Sequence, residues 1–183
     1  MSRKLRPQAP GSQADADTEA MIRVDHAGEY GAVRIYEGQL AVLGHRNSAT
    51  VASIREMAAQ EQRHLKAFDA LVNERRVRPT ALEPVWRVAG FALGAATALM
   101  GEKAAMACTA AVEEAIDEHY AAQVKALDGD PDLKQTVEEF RQEEVAHREE
   151  ALAHGAEDAP GYKLLSAAIK TGCRVAIKLS EKI

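Results

Sequence analysis

Glu61-Gln62-Arg63-His64 and Glu144-Val145-Ala146-His147 decide how this chain is read. Each is Glu-x-x-His, and each falls in a stretch with helical periodicity. Residues three apart share a helix face, so each motif points a carboxylate and an imidazole the same way. One such motif is weak evidence, because Glu and His are common in helices. Two of them, each on the second helix of a predicted hairpin, form a pattern that chance seldom makes.

Six helical segments carry and surround the motifs. The first is expected from about Thr18 to Leu43, with Thr18 as N-cap and Met21, Ile22, Val33, Tyr36 and Leu40 as apolar positions. Gly44 to Ser48 is a turn, and Ser48 caps a second helix reaching about Asn73. Its apolar face is Ile54, Met57, Ala58, Leu65 and Phe68. Arg78-Pro79-Thr80 ends that unit. Pro84 to Met100 is apolar except for Arg87, and a fourth helix runs from about Glu102 to Leu127. Asp128-Gly129-Asp130-Pro131 is a break in which Asp130 caps and Pro131 fits the first turn of a fifth helix, ending near His154. A loop from Gly155 to Gly161 leads to a last helix, Tyr162 to about Lys182. The expectation is an all-α fold, a four-helix bundle with two additional helices. Residues 1–17 are expected to form a disordered tail and 18–183 one domain.

Each motif needs a glutamate on its partner helix. In an antiparallel hairpin, residues equidistant from the turn lie at one height. The midpoint between Glu29 and the Glu61/His64 pair falls in the first turn. The midpoint between Glu113 and the Glu144/His147 pair falls in the second. Both sets lie about 16 residues, or roughly 24 Å, from their turns. Glu113 shares its face with Met106, Ala110, Ile116 and Tyr120, whereas Glu114 sides with Asp117 and Glu118 and reads as solvated. Glu144 sits with Val137 and Phe140, whereas Glu143 sits near Glu139 and Glu150 and is set aside. Glu29 keeps company with Ile22, Val33 and Tyr36. One Glu from each of two helices and Glu-x-x-His from each of two others is the ligand set of carboxylate-bridged two-metal bundles. Four carboxylates also balance two divalent ions, and oxygen-rich ligation with two imidazoles suits iron or manganese.

Composition narrows the alternatives. The 183 residues hold only 4% aromatics against 28% charged residues, which suits packed helices better than sheets. The net charge of −5 has no basic tract behind it, so no nucleic-acid partner is expected. Cys108 and Cys173 follow no metal or redox spacing and read as reduced core thiols. No Rossmann-type glycine loop is present, which excludes a dedicated nucleotide domain. The N-terminal stretch has no apolar run and is no secretory signal.

Several segments carry a resemblance. Val24-Asp25-His26-Ala27-Gly28-Glu29-Tyr30-Gly31-Ala32, Arg76-Val77-Arg78-Pro79-Thr80 and Gly90-Phe91-Ala92-Leu93-Gly94 resemble signatures of the demethoxyubiquinone hydroxylase family. So do Met106-Ala107-Cys108-Thr109, Ala111-Val112-Glu113-Glu114 and Gly172-Cys173-Arg174-Val175-Ala176-Ile177. The resemblance spans about residues 20 to 183 and implies a ferritin-like di-iron monooxygenase. Its implied activity is hydroxylation, with O2, of the ring of demethoxyubiquinone or its quinol, giving demethylubiquinol. The implied ligands of the two iron ions are Glu29, Glu61, His64, Glu113, Glu144 and His147, with Glu61 and Glu144 bridging. NADH and the quinone itself are the implied electron sources, any NADH contact being a surface site. His119 and Tyr120 are implied in part as proton or electron relays, against a plain reading as packed side chains; His26, three residues before Glu29, reads from its position as a residue orienting a ligand. A lipid-binding companion protein is a further implied partner.

A polyprenyl quinone lives in a bilayer, so contact with the membrane surface is expected. The apolar stretch 85–101 is short for a span, and it reads as a crossover helix with one face in the membrane surface ahead of a buried crossover or a true span. The last helix sets Lys163, Lys170, Arg174, Lys178 and Lys182 around an apolar stripe, which suits anionic lipid or, more plainly, a core helix with a solvated face. With no long presequence, the expected place is the cytoplasmic face of a bacterial inner membrane, or the matrix face of the mitochondrial inner membrane for a processed eukaryotic form. A ferritin-like iron store, a non-catalytic lipid-carrying bundle and a manganese catalase are the competing readings.

Overall fold

The computed structural model describes residues 13–183, with side-chain environments from Ala16 onward. Six α-helices and one 3-10 turn make up the described chain, and no strand occurs among the described residues. The helices are α1 (Gln13–Leu43), α2 (Ala49–Arg75), α3 (Glu83–Leu99), α4 (Glu102–Ala126), α5 (Pro131–Ala153) and α6 (Tyr162–Ser180). The caps behave as the sequence reading requires. Ser48 accepts a hydrogen bond from the Val51 amide, and Asp130 accepts one from the Leu133 amide with Pro131 in the first turn.

One boundary is corrected. α1 begins at Gln13, so Thr18 lies inside the helix instead of capping it. Ala14 and Ala16 carry helix propensity through the end of the expected tail, a run that continues into Glu19 and Ala20. Residues 1–12 of the expected tail lie outside the described residues.

Hairpins α1–α2 and α4–α5 form the four-helix bundle, and α3 crosses over between them along α1. α6 lies along α4. Within the bundle the apolar core forms two clusters at different heights, and a third, of Ile35, Cys108, Ala111, Val112 and Ile169, lies between α1, α4 and α6. Of the first two, one joins Tyr36, Leu43, Val51, Ile54, Met57, Met106 and Ala151 at the end holding the hairpin turn of α1–α2. The other joins Ile22, Phe68, Tyr120, Leu133 and Val137 at the opposite end. The two Glu-x-x-His motifs and their partner glutamates fall in the layer between.

α3 lies against α1 because glycines let the backbones touch. A Cβ at Gly94 would run into the Ile35 carbonyl of α1, and one at Gly38 of α1 would run into the Phe91 carbonyl of α3. The obstacle in both cases is backbone, which cannot swing aside. Trp86 of α3 donates its indole N–H to the Ser180 hydroxyl at 3.0 Å, and the Ala81 amide donates to the Ile183 carbonyl at 3.2 Å, so the ends of α3 and α6 are joined. Gly94→Leu is expected to force α3 off α1 and to cost at least about 1–3 kcal/mol, as overpacking of a tight core does. Urea unfolding of the variant checks this; an unchanged midpoint would contradict the close approach.

Candidate metal centre

All six residues expected from the spacing meet in one buried layer. Glu29 sits on α1, Glu61 and His64 on α2, Glu113 on α4, and Glu144 and His147 on α5. None is more than 3% exposed. Their donor atoms form two groups, each within metal-ligand reach. One is Glu29, Glu61, His64 and Glu144; the other is Glu61, Glu113, Glu144 and His147. Glu61 and Glu144 belong to both.

The two imidazoles turn Nδ1 inward. His64 Nδ1 lies 3.1 Å from Glu144 Oε1 and 3.5 Å from Glu29 Oε2. His147 Nδ1 lies 3.0 Å from Glu61 Oε1 and 3.2 Å from Glu144 Oε2. Each ring's Nε2 faces outward. That of His64 meets Glu143 Oε2 at 3.0 Å, and that of His147 meets Gln60 Oε1 at 2.6 Å. Such outer partners fix the tautomer that leaves Nδ1 free to bind. The remaining carboxylates are held by tyrosines, Tyr36 donating to Glu113 at 2.9 Å and Tyr120 donating to Glu29.

Whether metal fits can be judged from what the protein leaves unpaired. Glu29 Oε2, both oxygens of Glu61, His64 Nδ1, Glu113 Oε2 and Glu144 Oε1 are buried with no hydrogen-bond partner. Buried polar atoms are rarely left so. Here six of the eleven such side-chain atoms among the described residues meet in one layer, and those six are oxygen and imidazole donors. The site fits divalent cations.

The electrostatics of the metal-free cluster point the same way. Burial, and then the Glu144 charge, push the carboxyls of Glu61 and Glu113 well above the usual carboxylate range. Burial likewise raises Glu29. Burial works against ionising Glu144 too, but the His147 and His64 imidazoles beside it outweigh that and bring the group down to about 2. Burial opposes charge on the imidazoles, yet Glu144 and Glu29 raise His64 to about 11, and Glu144 and Glu61 raise His147 to about 9. Protons therefore occupy the places where cations fit, and metal must displace them.

His119 and Tyr120 occupy different environments. Tyr120 is buried against Glu29. His119, on the outer side of α4, has its Nε2 at 3.2 Å from Asp25 Oδ1 and 2.9 Å from Gln123 Nε2, and it lines a cavity of about 360 Å³ with Met21, Val24 and Glu181. His26 meets Asp69 of α2 at 2.9 Å, with no ligand glutamate among its partners, so the expectation that it orients a ligand is corrected. Helix rotation turns it toward α2 and away from the layer of Glu29. Cys108 is fully buried, but Cys173 is only partly so and lines a second cavity. Spacing on one helix did not reveal Gln60, Glu143, Asp25 or Gln123. A usable signal existed for two of them, since a polar residue precedes the glutamate of both motifs.

The second cavity, about 540 Å³, lies between α1, α3, α4 and α6. Its walls are apolar, with Ile35, Leu93, Val112, Ile116, Ile169 and Ile177 around Gly28, Gly31 and Gly172. Gly28 adjoins Glu29 in sequence and Val112 adjoins Glu113, so the cavity abuts the ligand-bearing segments of α1 and α4.

Comparison with known proteins agrees with this geometry. A family model described as ubiquinone biosynthesis protein COQ7 matches residues 16–180. The 3-demethoxyubiquinol 3-hydroxylase of Rhodospirillum rubrum is 57% identical over 176 residues, covering 95% of this chain and 82% of the relative. The NADPH-dependent 3-demethoxyubiquinone 3-hydroxylase, mitochondrial, of Homo sapiens is 53% identical over 173 residues, covering 92% and 79%. The 5-demethoxyubiquinone hydroxylase, mitochondrial, of Saccharomyces cerevisiae is 40% identical over 196 residues, covering 96% and 84%.

The protonation pattern sets a pH dependence. Folded, metal-free protein keeps protons on His64 and His147 that the unfolded chain releases near 6.5. That stabilisation is fully present below this value and is lost as pH climbs through about 9 and toward about 11. Glu29, Glu61 and Glu113 act in the same direction, because the unfolded chain gives up their protons near 4.5 and the folded one does not. Glu144 acts oppositely, but its contribution is complete above 4.5 and adds no slope near neutrality. The Tm of chelator-treated protein is expected to fall as pH rises from about 6 to about 9, and metal-loaded protein to melt higher throughout. A Tm for the metal-free form that stays flat or rises would contradict the arrangement.

Proposed function

Because the chain belongs to the family of ubiquinone biosynthesis protein COQ7, we propose that its buried cluster is a di-iron centre that hydroxylates the ring of demethoxyubiquinol with O2. The protein is a hydroxylase of ubiquinone biosynthesis, as its relatives' names indicate. The observation that carries the di-iron reading is the pair of overlapping donor groups sharing Glu61 and Glu144. Glu29 and His64 would hold one ion and Glu113 and His147 the other, with Glu61 and Glu144 within reach of both. When bound as Fe(II), the pair supplies O2 activation, which no side chain here can provide alone. The reaction balances as a ring C–H, O2, two electrons and two protons giving a ring C–OH and water.

The protein's own residues set the conditions for that chemistry. The apolar clusters on both sides of the layer exclude water. Tyr36 and Tyr120 hold Glu113 and Glu29 in place, and burial together with the facing carboxylates keeps both phenols protonated as donors. Tyr120, and His119 held by Asp25 and Gln123, are the proposed carriers of protons between the cavity at Met21 and the carboxylate of Glu29. The apolar cavity of about 540 Å³ is the proposed quinol site, with a few polar groups and mostly aliphatic walls as ligand pockets have. A reduced nicotinamide is the proposed electron source, met at the surface, and the human relative's name specifies NADPH.

Access to a bilayer quinol is proposed through α3 and α6, which flank the cavity. Val85, Val88, Phe91 and Leu99 of α3 and Leu164, Val175 and Leu179 of α6 are exposed. Scattered apolar residues are ordinary, but these sit on the two helices that flank the cavity. Among the described residues no helix is long and apolar enough to cross a membrane, so surface contact is the proposed mode. The basic face of α6 is smaller than expected. Lys170 pairs with Glu114 and Arg174 with Glu118, which leaves Lys163, Lys178 and Lys182 to face lipid headgroups. The reading places the protein at the cytoplasmic or matrix face of its membrane, with a lipid-binding companion docking on the same apolar surface.

Two experiments test these proposals. In a single turnover, Fe(II)-loaded protein with a short-tailed demethoxyquinol and 18O-labelled O2 is expected to give product carrying one label. Glu61→Ala should give none. Gly172→Leu should bind iron normally yet raise the KM for the quinol, because a side chain there meets only open cavity. Iron oxidation without labelled product, with quinol bound, would overturn the hydroxylase reading. In flotation with vesicles containing anionic lipid, the protein should rise with the vesicles, and Val88→Glu with Phe91→Glu should abolish this. Protein that remains behind would refute surface binding.

A further inference from the structure

The two hairpins repeat one another around the cluster. Tyr36 lies two turns after Glu29 on α1 and donates to Glu113 of α4. Tyr120 lies two turns after Glu113 on α4 and donates to Glu29 of α1. Gln60 immediately precedes Glu61 on α2 and meets the outward nitrogen of His147 on α5. Glu143 immediately precedes Glu144 on α5 and meets the outward nitrogen of His64 on α2. Ligand for ligand and tyrosine for tyrosine, the halves carry the same residue types. The exception is the outer partner of the imidazole, a neutral amide in one half and a carboxylate in the other.

We propose that Glu143 and Gln60 make the two metal positions unequal, with the Glu29/His64 position the stronger donor site. The inference rests on the reading of this cluster as a two-metal centre. With Nδ1 of each ring turned to the centre, the ring proton sits on Nε2 and is donated outward. A carboxylate accepting that proton makes the imidazole a more basic and more electron-rich ligand than an amide oxygen does. The Glu29/His64 position therefore holds a divalent ion more tightly and favours its oxidation. Arg63 shares Glu143 Oε2, at 2.9 Å. Its side chain is 58% exposed, so it orients the carboxylate while solvent screens much of its charge, and the carboxylate's effect on the ring persists. Gln60, by contrast, has no ion pair among the described residues and presents only its amide oxygen, at 2.6 Å from His147 Nε2.

The difference is local to one residue in each half, so exchanging those residues tests it. Metal-free protein is titrated anaerobically with 57Fe(II), stepwise affinities are read by calorimetry, and each step is followed by Mössbauer spectroscopy. The wild-type protein should bind two ions in steps separated by about tenfold, the size of effect that outer partners of metal ligands have. Two quadrupole doublets should appear, the first filling before the second. Glu143→Gln, which keeps an acceptor oxygen and removes the charge, should weaken the tighter step by about tenfold and bring the doublets together. Gln60→Glu should tighten the weaker step and also close the gap. The double exchange restores one carboxylate and one amide, and it should restore the separation. A residue that merely braces the fold would lower the metal-free Tm and shift both steps alike. An unchanged separation in Glu143→Gln, or an equal shift of both steps, would overturn the inequality while leaving the two-metal reading intact. Failure of the wild-type protein to bind iron would overturn that reading itself, and this inference with it.

Discussion

Four carboxylates and two imidazoles buried in one layer of a helical bundle are the constraint to which the rest of the structure answers. Moving a carboxylate from water into a protein interior is costly, and several together repel as well. The metal-free layer meets this by holding protons, with Glu144 ionised between two protonated imidazoles. That is a compromise, since it leaves six donor atoms without hydrogen bonds. Cations at the centre remove both problems together, supplying positive charge and occupying the orphaned lone pairs. The apolar clusters above and below supply the burial that offsets the cost of the layer.

A second constraint follows from the first. Reactants must reach a layer that the bundle is built to keep dry. α1 resolves this by using two faces. One carries Glu29 and Tyr36 into the bundle, and the other offers Gly28, Gly31 and Ile35 to the apolar cavity. The absence of side chains at Gly28, Gly31 and Gly172 makes the cavity, much as Gly38 and Gly94 make the contact between α1 and α3. The same residue type thus serves opposite ends, open space in one place and backbone contact in the other. What distinguishes them is the neighbour, since α3 advances onto Gly38 whereas α6 stands off from Gly31.

That distinction explains what the sequence could and could not reveal. Ligand positions were readable because they obey a rule along one chain: helix period within a motif and equal distance from a turn between partners. Caps and breaks at Ser48 and at Asp130-Pro131 were readable for the same reason, being local. The outer partners were not. Glu143 was set aside because its own helix face is acidic, a sound rule for a single helix, yet α2 brings His64 to it. His26 looked like a ligand's neighbour along α1, but inter-helix rotation gives it to Asp69. The basic face of α6 looked lipid-directed until α4 supplied Glu114 and Glu118. In each case the decisive contact joins separate helices, and only the relative rotation of those helices creates it.

α4 shows how such rotation is held. It touches α1, α3, α5 and α6. Its first half is Ala104, Ala105, Ala107, Ala110 and Ala111 with Met106 and Cys108, all buried. Helices with ordinary side chains pack with axes about 8–10 Å apart, and small residues at the contacts permit closer approach. An alanine-rich helix buries little apolar area per residue, so its position is not secured by large side chains of its own. It is secured from outside, by residues that reach in: Tyr36 donates to Glu113, and the Gln39 amide donates to the Ala105 carbonyl at 3.1 Å. Both come from α1, and α4 answers with Tyr120 on Glu29. The rotation of α4 about its axis is thus set by polar contacts with α1, and the same contacts aim its one ligand. A bundle held only by apolar packing would tolerate slippage of α4 by some fraction of a turn. Here slippage would cost buried hydrogen bonds at the ligands themselves, so the accuracy of the site and the register of the fold are one property.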